Sequence, residues 1–337
     1  MKPVFKDLVA PVFNKSVNRA DAALLMEKIC YGEPESDTLQ LVMGYFAGCE
    51  ISLDLLGGFR DALLKFSPRL PGELKNGMDV CGTGGDGKNT LNISTLSAFV
   101  IAGAGVHVVK HGNFGSGSVS GSSNVIAAAG YFFSGDPSKL STEYEEAGIT
   151  FLHAPCFFPC LKPLAPIRRQ IGLRTVFNAL GPLVNPAKPS LQFNGVFSLK
   201  LARIYHQLLQ ETEDKKYAVV FSRDGYDEVS LTDDAVIFGN RLEGVFPPEF
   251  FGSSKINPTL LNCRDEKSAF EIFCKALKGK AEKEILNVII ANAALGIYLR
   301  FPGKSFEECR FMAESSVFSG AAVRTFNKLI QLQKHAN

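Results

Sequence analysis

The stretch from Asp79 to Gly121, DVCGTGGDGKNTLNISTLSAFVIAGAGVHVVKHGNFGSGSVSG, constrains the fold more than any other part of the chain. Two short apolar runs, Met78-Asp79-Val80-Cys81 and Val106-His107-Val108-Val109, have the length and β-branching of strands. Between them, residues 94–103 are apolar with a hydroxyl start and a glycine stop, the pattern of a helix. Each strand is followed by a loop: Gly82-Thr83-Gly84-Gly85-Asp86-Gly87 after the first, Lys110-His111-Gly112-Asn113 after the second. Parallel strands joined by a helix put both loops at the carboxyl edge of one sheet, where open α/β sheets bind ligands. The expected class is therefore α/β, with a mostly parallel central sheet flanked by helices.

These loops suit an anion. Glycine lets backbone N–H groups turn inward and approach closely, because no Cβ intervenes. The helix start adds unpaired N–H groups and the positive end of its dipole, with Asn92, Ser94 and Thr95 clustered there. Lys110 and His111 add donors opposite. Asp86 repels a bare phosphate, so it fits a ribose hydroxyl, an amine or a metal-bridged pyrophosphate. Gly82, Gly84 and Gly87 also satisfy the G-x-G-x-x-G spacing of a dinucleotide site. Against that reading, the polar run Lys88-Asn89-Thr90-Leu91-Asn92 delays the helix, and the second strand ends in Lys110-His111 where an acid should grip the ribose.

Ahead of this unit, residues 18–31, 37–47 and 53–66 carry apolar residues at three- and four-residue steps, with start signals at Ser36-Asp37 and Ser52. They read as a small helical domain or dimer surface, ended by the Pro71-Gly72 turn. Beyond the basic loop, helices are expected at 121–129, at 137–147 between Asp136 and Gly148, and at 161–171. Strands are expected at 149–152, 192–197 and 217–221. Further helices are expected at 199–211, 266–277, 283–299 and from 306 to the C-terminus. His153 at a strand end is either a ligand-facing residue or hydrogen-bonded structure. Arg168, Arg169 and Arg174 each offer the planar fork that holds a carboxylate, and spacing does not choose among them. Asp227 and Glu228 follow a strand end as adjacent carboxylates. They form either an acidic surface turn or, beside a polyphosphate, a magnesium site.

Basic and acidic residues number 36 and 34, a balance that gives no electrostatic reason to expect nucleic acid or an anionic membrane as partner. The first sixteen residues lack the apolar core of a signal peptide, and the longest apolar run, 98–109, is too short to span a bilayer. The eight cysteines are scattered through apolar patterns and read as reduced thiols of a cytoplasmic protein. Cys156 and Cys160 lie four apart with no second pair to complete a zinc set.

Five strings in order, GTGGDG, NIST at Asn92 to Thr95, KHGN at Lys110 to Asn113, GLRTVFNALGPLVNP at Gly172 to Pro186 and DGYDE at Asp224 to Glu228, resemble the anthranilate phosphoribosyltransferase family. The resemblance implies transfer of phosphoribose from 5-phosphoribosyl-1-pyrophosphate (PRPP) to anthranilate, with two magnesium ions. It implies PRPP contacts at Gly82, Gly85, Asp86, Thr90, Asn92, Ser94, Thr95, Lys110, His111, Gly112, Asn113, Ser118 and Ser122. It implies acceptor contacts at Gly82, His111, Asn113, Arg168, Gly181 and Pro182, with Arg168 receiving the carboxylate. Metal contacts are implied at Ser94, Asp227 and Glu228. The implied architecture is a small all-helical domain, residues 1–74 completed by about 160–188, plus a large α/β domain formed by 75–159 and 189–337. The helical domain would form a homodimer. The chain departs from the family's strings at Phe114 (usually arginine), at Gly115-Ser116-Gly117-Ser118, at Ser123-Asn124 (usually Ala-Asp) and at Phe158-Pro159-Cys160 (usually His-Pro-Ala). Two other readings of the same loops are a nucleotide-binding regulator, which needs neither magnesium acids nor an acceptor arginine, and a nucleoside phosphorylase.

Overall fold

The computed structural model describes residues 17–115 and 121–333. Ser118 and the first sixteen residues, on which two of the expectations above fall, lie outside the described residues. Three helices come first: α1 (Arg19–Cys30), α2 (Ser36–Gly48) and α3 (Leu53–Phe66). Ser52 caps α3 by accepting from the Leu55 N–H. Ser36 and Asp37 instead fall inside the first turn of α2, where Glu35 is the cap residue.

The α/β part runs β1 (Met78–Gly82), α4 (Ile93–Gly103), β2 (Val108–Gly112), α5 (Ser122–Ala128), α6 (Pro137–Ala147) and β3 (Ile149–His153). After a short crossing segment come α7 (Leu164–Ile171), β4 (Leu191–Gly195), α8 (Leu199–Gln210) and β5 (Lys216–Ser222). An antiparallel pair, β6 (Ala235–Gly239) and β7 (Gly244–Phe246), follows. Helices α9 (Glu266–Leu277), α10 (Lys283–Arg300), α11 (Phe306–Phe318) and α12 (Ala321–Gln333) complete the described chain. The strands form one seven-stranded sheet in the order β3-β2-β1-β4-β5-β6-β7, parallel from β3 through β5. The architecture is thus a small helical N-terminal part and an α/β part with a mostly parallel sheet.

Period-two alternation along the strands divides the core between the two sheet faces. Val108, Phe151, Ala218 and Val220 pack with α4, α9, α10, α11 and α12 on one face. Val109, Leu152, Tyr217 and Val219 pack on the other with α1, α2, α3, α7 and α8. Leu164, Ile167, Val176 and Phe177 belong to this second cluster, so the segment after β3 packs with the N-terminal helices.

Three expectations need correction. The second strand is not 106–109 but two residues later, so Lys110, His111 and Gly112 are strand residues paired with β3 and not a loop. Val106 is held back by its N–H bond to the Ile101 carbonyl, which closes α4. The helix expected from 306 onward is two helices, because Gly320 takes a left-handed backbone (φ 77°) that breaks the first. Strands β6 and β7 were absent from the sequence reading. They form an edge hairpin with only three residues in β7, too short for a clear alternation.

Candidate active site

Strand order reverses between β1 and β4, and the crevice outside such a switch point is where open sheets take ligands. Gly82 and Gly195 lie side by side at these strand ends. The loop carrying Asp227 packs directly on both. A Cβ at Gly195 would overlap the Asp227 carbonyl, and one at Gly82 would overlap its carboxylate. Glycine is needed here for close approach. The Gly84 N–H donates to Asp227 Oδ2 at 2.7 Å, tying the acidic loop to the glycine loop. Gly84, Gly85 and Gly87 all take left-handed backbone (φ 60°, 69° and 77°), which turns successive N–H groups toward the crevice.

A cavity of about 410 Å³ fills this crevice. It is lined by Gly82, Gly85, Asp86, Thr90, Asn92, Ser94, Lys110, His111, Gly112, Asn113, Ser122, Arg168, Gly181, Pro182, Asp227 and Glu228, so one site gathers residues from five separate strings. Thr95 is the exception among the described residues. One step further round α4 than Ser94, it is wholly buried and does not line the cavity. Arg174, Phe177 and Asn178 line it as well, with no local pattern that marks them out.

The phosphate side is a concentration of unmatched carboxylates. Burial, then the charge of Asp227, pushes Asp86 up to about 6. Burial, then Asp227 and Asp86, pushes Glu228 well above the usual range, and burial also raises Asp227. Asp86 Oδ2 and Glu228 Oε1 have no hydrogen-bond partner. The acids are held in place from behind: Ser222 Oγ donates to the Glu228 carbonyl at 2.6 Å, and Asn292 of α10 brackets Val229 by bonding both its N–H and its carbonyl. Asn292 was not anticipated, because an asparagine inside an apolar helix carries no local sign of its partner. Among the described residues no three His, Cys, Asp or Glu side chains form a closed metal cage. The orphaned carboxylate oxygens fit magnesium, which keeps waters and takes substrate phosphate oxygens for its remaining ligands.

Lys110 is buried, not a free loop cation. Its Nζ donates to the Val80 carbonyl and to Ser94 Oγ (3.2 Å), so it secures the start of α4 against β1. Burial lowers its pKa. His111 donates its backbone N–H to Asp79 Oδ1 at 3.0 Å, and its Nδ1 lies 2.8 Å from the Gly181 carbonyl. A carbonyl only accepts, so Nδ1 carries the proton and Nε2 is left as an acceptor without a partner. Burial pulls His111 down to about 4, so the ring is neutral near pH 7. Gln192 of β4 donates to the Pro182 carbonyl, so both carbonyls of the Gly181-Pro182 step are held by side chains from the sheet.

Arg168 stands on the other side of the cleft. Helix α7 stops at Gly172, whose left-handed backbone (φ 64°) lets its N–H cap the Arg168 carbonyl. Arg168 lines the cavity, whereas Arg169 is exposed and does not. Arg168 has no carboxylate partner among the described residues, and burial lowers its pKa. Arg174 also lines the cavity but is exposed and lies over the Phe197 ring at 4.9 Å. His153 does not line the cavity. It stacks on Phe133 (4.4 Å between ring centroids) and its Nδ1 pairs with Ser123 Oγ at 2.9 Å.

The departures from the family strings have local partners. Phe114 sets its ring edge-on to His153 and Phe133. Ser123 supplies the bond to His153 that alanine would lack. Asn124 Oδ1 accepts from the Gly115 and Gly121 N–H groups, and its Nδ2 donates to Glu266 at 2.8 Å, a bond an aspartate could not donate.

Residues 74–323 match the family described as "Glycosyl transferase family, a/b domain". The chain is 41% identical over 331 residues to the anthranilate phosphoribosyltransferase of Flavobacterium johnsoniae, covering 95% of this chain and 98% of that one. It is 41% identical over 319 residues to that of Bacteroides thetaiotaomicron, covering 94% and 95%. Its fold superposes on the Thermus thermophilus anthranilate phosphoribosyltransferase with a TM-score of 0.84 at 26% identity, over 94% of this chain and 96% of that one. It superposes on the Saccharomyces cerevisiae enzyme, solved in complex with PRPP and Mg, with a TM-score of 0.87 at 24% identity, over 99% of each chain. The chain belongs to the anthranilate phosphoribosyltransferase family of glycosyltransferases.

Proposed function

We propose that the chain transfers the 5-phosphoribosyl group of PRPP to the amine of anthranilate, giving N-(5-phosphoribosyl)anthranilate and pyrophosphate, a step of tryptophan synthesis. The observation that carries this reading is a pair of opposite charge orphans in one cleft. Unmatched carboxylates stand on the glycine-loop side, and Arg168, without an acid partner, stands on the other. A buried charge without a partner is costly, so each side calls for its complement in the ligands.

The Gly85–Gly87 part of the glycine loop and the start of α4 at Asn92 and Ser94 receive the pyrophosphate. Thr90, Gly112, Asn113 and Ser122 complete the PRPP side. Ser94 would hold one magnesium ion and Asp227 with Glu228 a second, and the ions when bound would supply positive charge against the leaving pyrophosphate. Arg168 grips the anthranilate carboxylate through its paired donors. Neutral His111 underlies this side of the cleft and fixes the Gly181 carbonyl through Nδ1. An aromatic amine is already nucleophilic, so the residues contribute position and preorganised charge in place of a strong base. The helical domain spans 1–74 and about 160–188, the α/β domain the remainder, and the exposed apolar Leu24, Tyr31 and Leu41 of the former support a homodimer through it. The chain works in the cytoplasm on these small molecules.

Purified protein with PRPP, magnesium and anthranilate should consume anthranilate fluorescence and release pyrophosphate in equal amounts. No loss of fluorescence at saturating substrates would refute the assignment.

A further inference from the structure

A second cavity, of about 600 Å³, lies outside the cleft, with Cys30, Tyr31, Gln40, Pro159, Cys160 and Ile167 in its lining. Cys30 ends α1, and Cys160 sits in the short helical turn Pro159–Leu161 that precedes α7. Their sulfurs lie 3.1 Å apart although 130 positions separate them in the chain. Both are partly exposed free thiols. Cys156, the sequence neighbour of Cys160, is exposed.

The two thiols are not equivalent. The N–H groups of Cys160 and Leu161 favour the Cys160 thiolate, against the effect of burial. Burial and the charge of Glu27 raise Cys30. Cys160 is therefore the readier nucleophile, since the thiolate is the attacking species.

We propose that Cys30 and Cys160 are a redox-sensitive pair, which a low-molecular-weight disulfide entering this cavity converts to an intramolecular disulfide. In the first step the Cys160 thiolate attacks one sulfur of the small disulfide. That S–S bond breaks, a mixed disulfide forms on Cys160, and one small thiolate leaves. In the second step Cys30 gives its proton to solvent and its sulfur attacks Cys160 Sγ, expelling the second small thiolate. Two protein thiols are oxidised and one small disulfide is reduced to two thiols.

The bond would couple to the cleft through α7. Ile167 lines the cysteine cavity, and the next residue, Arg168, lines the cleft. Cross-linking draws the turn just ahead of α7 onto the end of α1, so it displaces Arg168 and leaves the strand-end glycines alone. A misplacement of an ångström in a substrate-positioning residue is enough to cost activity.

The test incubates the reduced full-length protein with oxidised glutathione, followed by non-reducing peptide mapping. The expected result is a Cys30–Cys160 cross-linked peptide and a rise in melting temperature of roughly 3–6 °C, reversed by dithiothreitol. The Michaelis constant for anthranilate should rise several-fold, with little change in that for PRPP. Cys160→Ala should stay active and lose all three responses, while Cys156→Ser should keep them. Glutathione adducts at Cys30 or Cys160 without a cross-link would overturn the pair. A cross-link that leaves the anthranilate constant unmoved would overturn its coupling to Arg168. The kinetic arm rests on the proposed reaction. If the reduced protein shows no turnover, that reading fails, and the mapping and melting arms still decide the cysteine pair.

Discussion

The two halves of the cleft are built by different means. The phosphate half is made mostly of backbone at strand ends. Gly82 and Gly195 admit the Asp227 loop, Gly84 bonds its carboxylate, and Asn292 holds Val229 from α10. The acceptor half hangs on side chains: Arg168 at the end of an eight-residue helix, and His111 against the Gly181 carbonyl. Several contacts share the load in the first half, while in the proposed reading Arg168 alone carries the charge recognition in the second. Damage to the first half should therefore abolish turnover, and damage to the second should shift selectivity.

The largest effect is expected from removing the acids. Asp227→Ala with Glu228→Ala should lower turnover on the order of a thousandfold, matching the several kcal/mol a metal ion contributes to stabilising charge in a transition state. Circular dichroism should show the fold intact, since burial raises both carboxyls and so opposes folding in their charged form. Undiminished turnover would remove the metal assignment. Next comes Arg168→Ala. Loss of a charge-assisted bond, typically about 1.5–3 kcal/mol, should raise the anthranilate Michaelis constant roughly tenfold to a hundredfold. Exposed Arg169→Ala should do little, and the reverse pattern would place the acceptor on the other arginine.

A third prediction concerns pH. Asp86 is raised from 3.8 to about 6 in the folded chain, and Glu228 is raised as well. A carboxyl whose folded pKa is raised favours the folded state below its unfolded pKa, and that contribution is lost as pH rises through the folded value. Without divalent metal, the melting temperature should fall between about pH 4 and 6 from the Asp86 contribution. The increase produced by magnesium should grow over the same interval. A magnesium effect that shrinks as pH rises would contradict the charge-orphan account of this half. The smallest effect is expected from Ser123→Ala, which removes the bond to His153 outside the cleft. It should cost about 1 kcal/mol, a lowering of the melting temperature by roughly 2 °C. Activity should be kept, whereas a large loss of turnover would draw His153 into the site.

Much of the phosphate half was legible because its chemistry is local. Glycines at Gly82, Gly84, Gly85 and Gly87 announce backbone exposure within a few residues of a strand. Paired acids at Asp227-Glu228 announce either an acidic surface turn or, beside such a loop, a cation site. The acceptor half was not legible in the same way. Arg168, Arg169 and Arg174 look alike until the chain is packed, when Arg168 lines the cleft half-buried, Arg174 lines it exposed over Phe197, and Arg169 faces solvent. Lys110 looked like a loop cation and is a buried strand residue, because its pairing with Phe151 of β3 is set by tertiary register and not by its neighbours in sequence. Thr95 failed for a geometric reason, one residue of helical rotation beyond Ser94. Asn292 and Cys30 meet their partners across 63 and 130 positions, and neither leaves a local trace.

The central claim is that one cleft holds PRPP by its strand ends and anthranilate by a single cation. It is tested most directly by measuring kcat/KM for anthranilate and for aniline, at saturating PRPP and magnesium, in the wild-type chain and in Arg168→Ala. The account predicts a wild-type preference for anthranilate that collapses in the variant by about tenfold to a hundredfold, with the aniline value and the PRPP constant nearly unchanged. Equal losses for both amines, or an undiminished preference for anthranilate in Arg168→Ala, would contradict it.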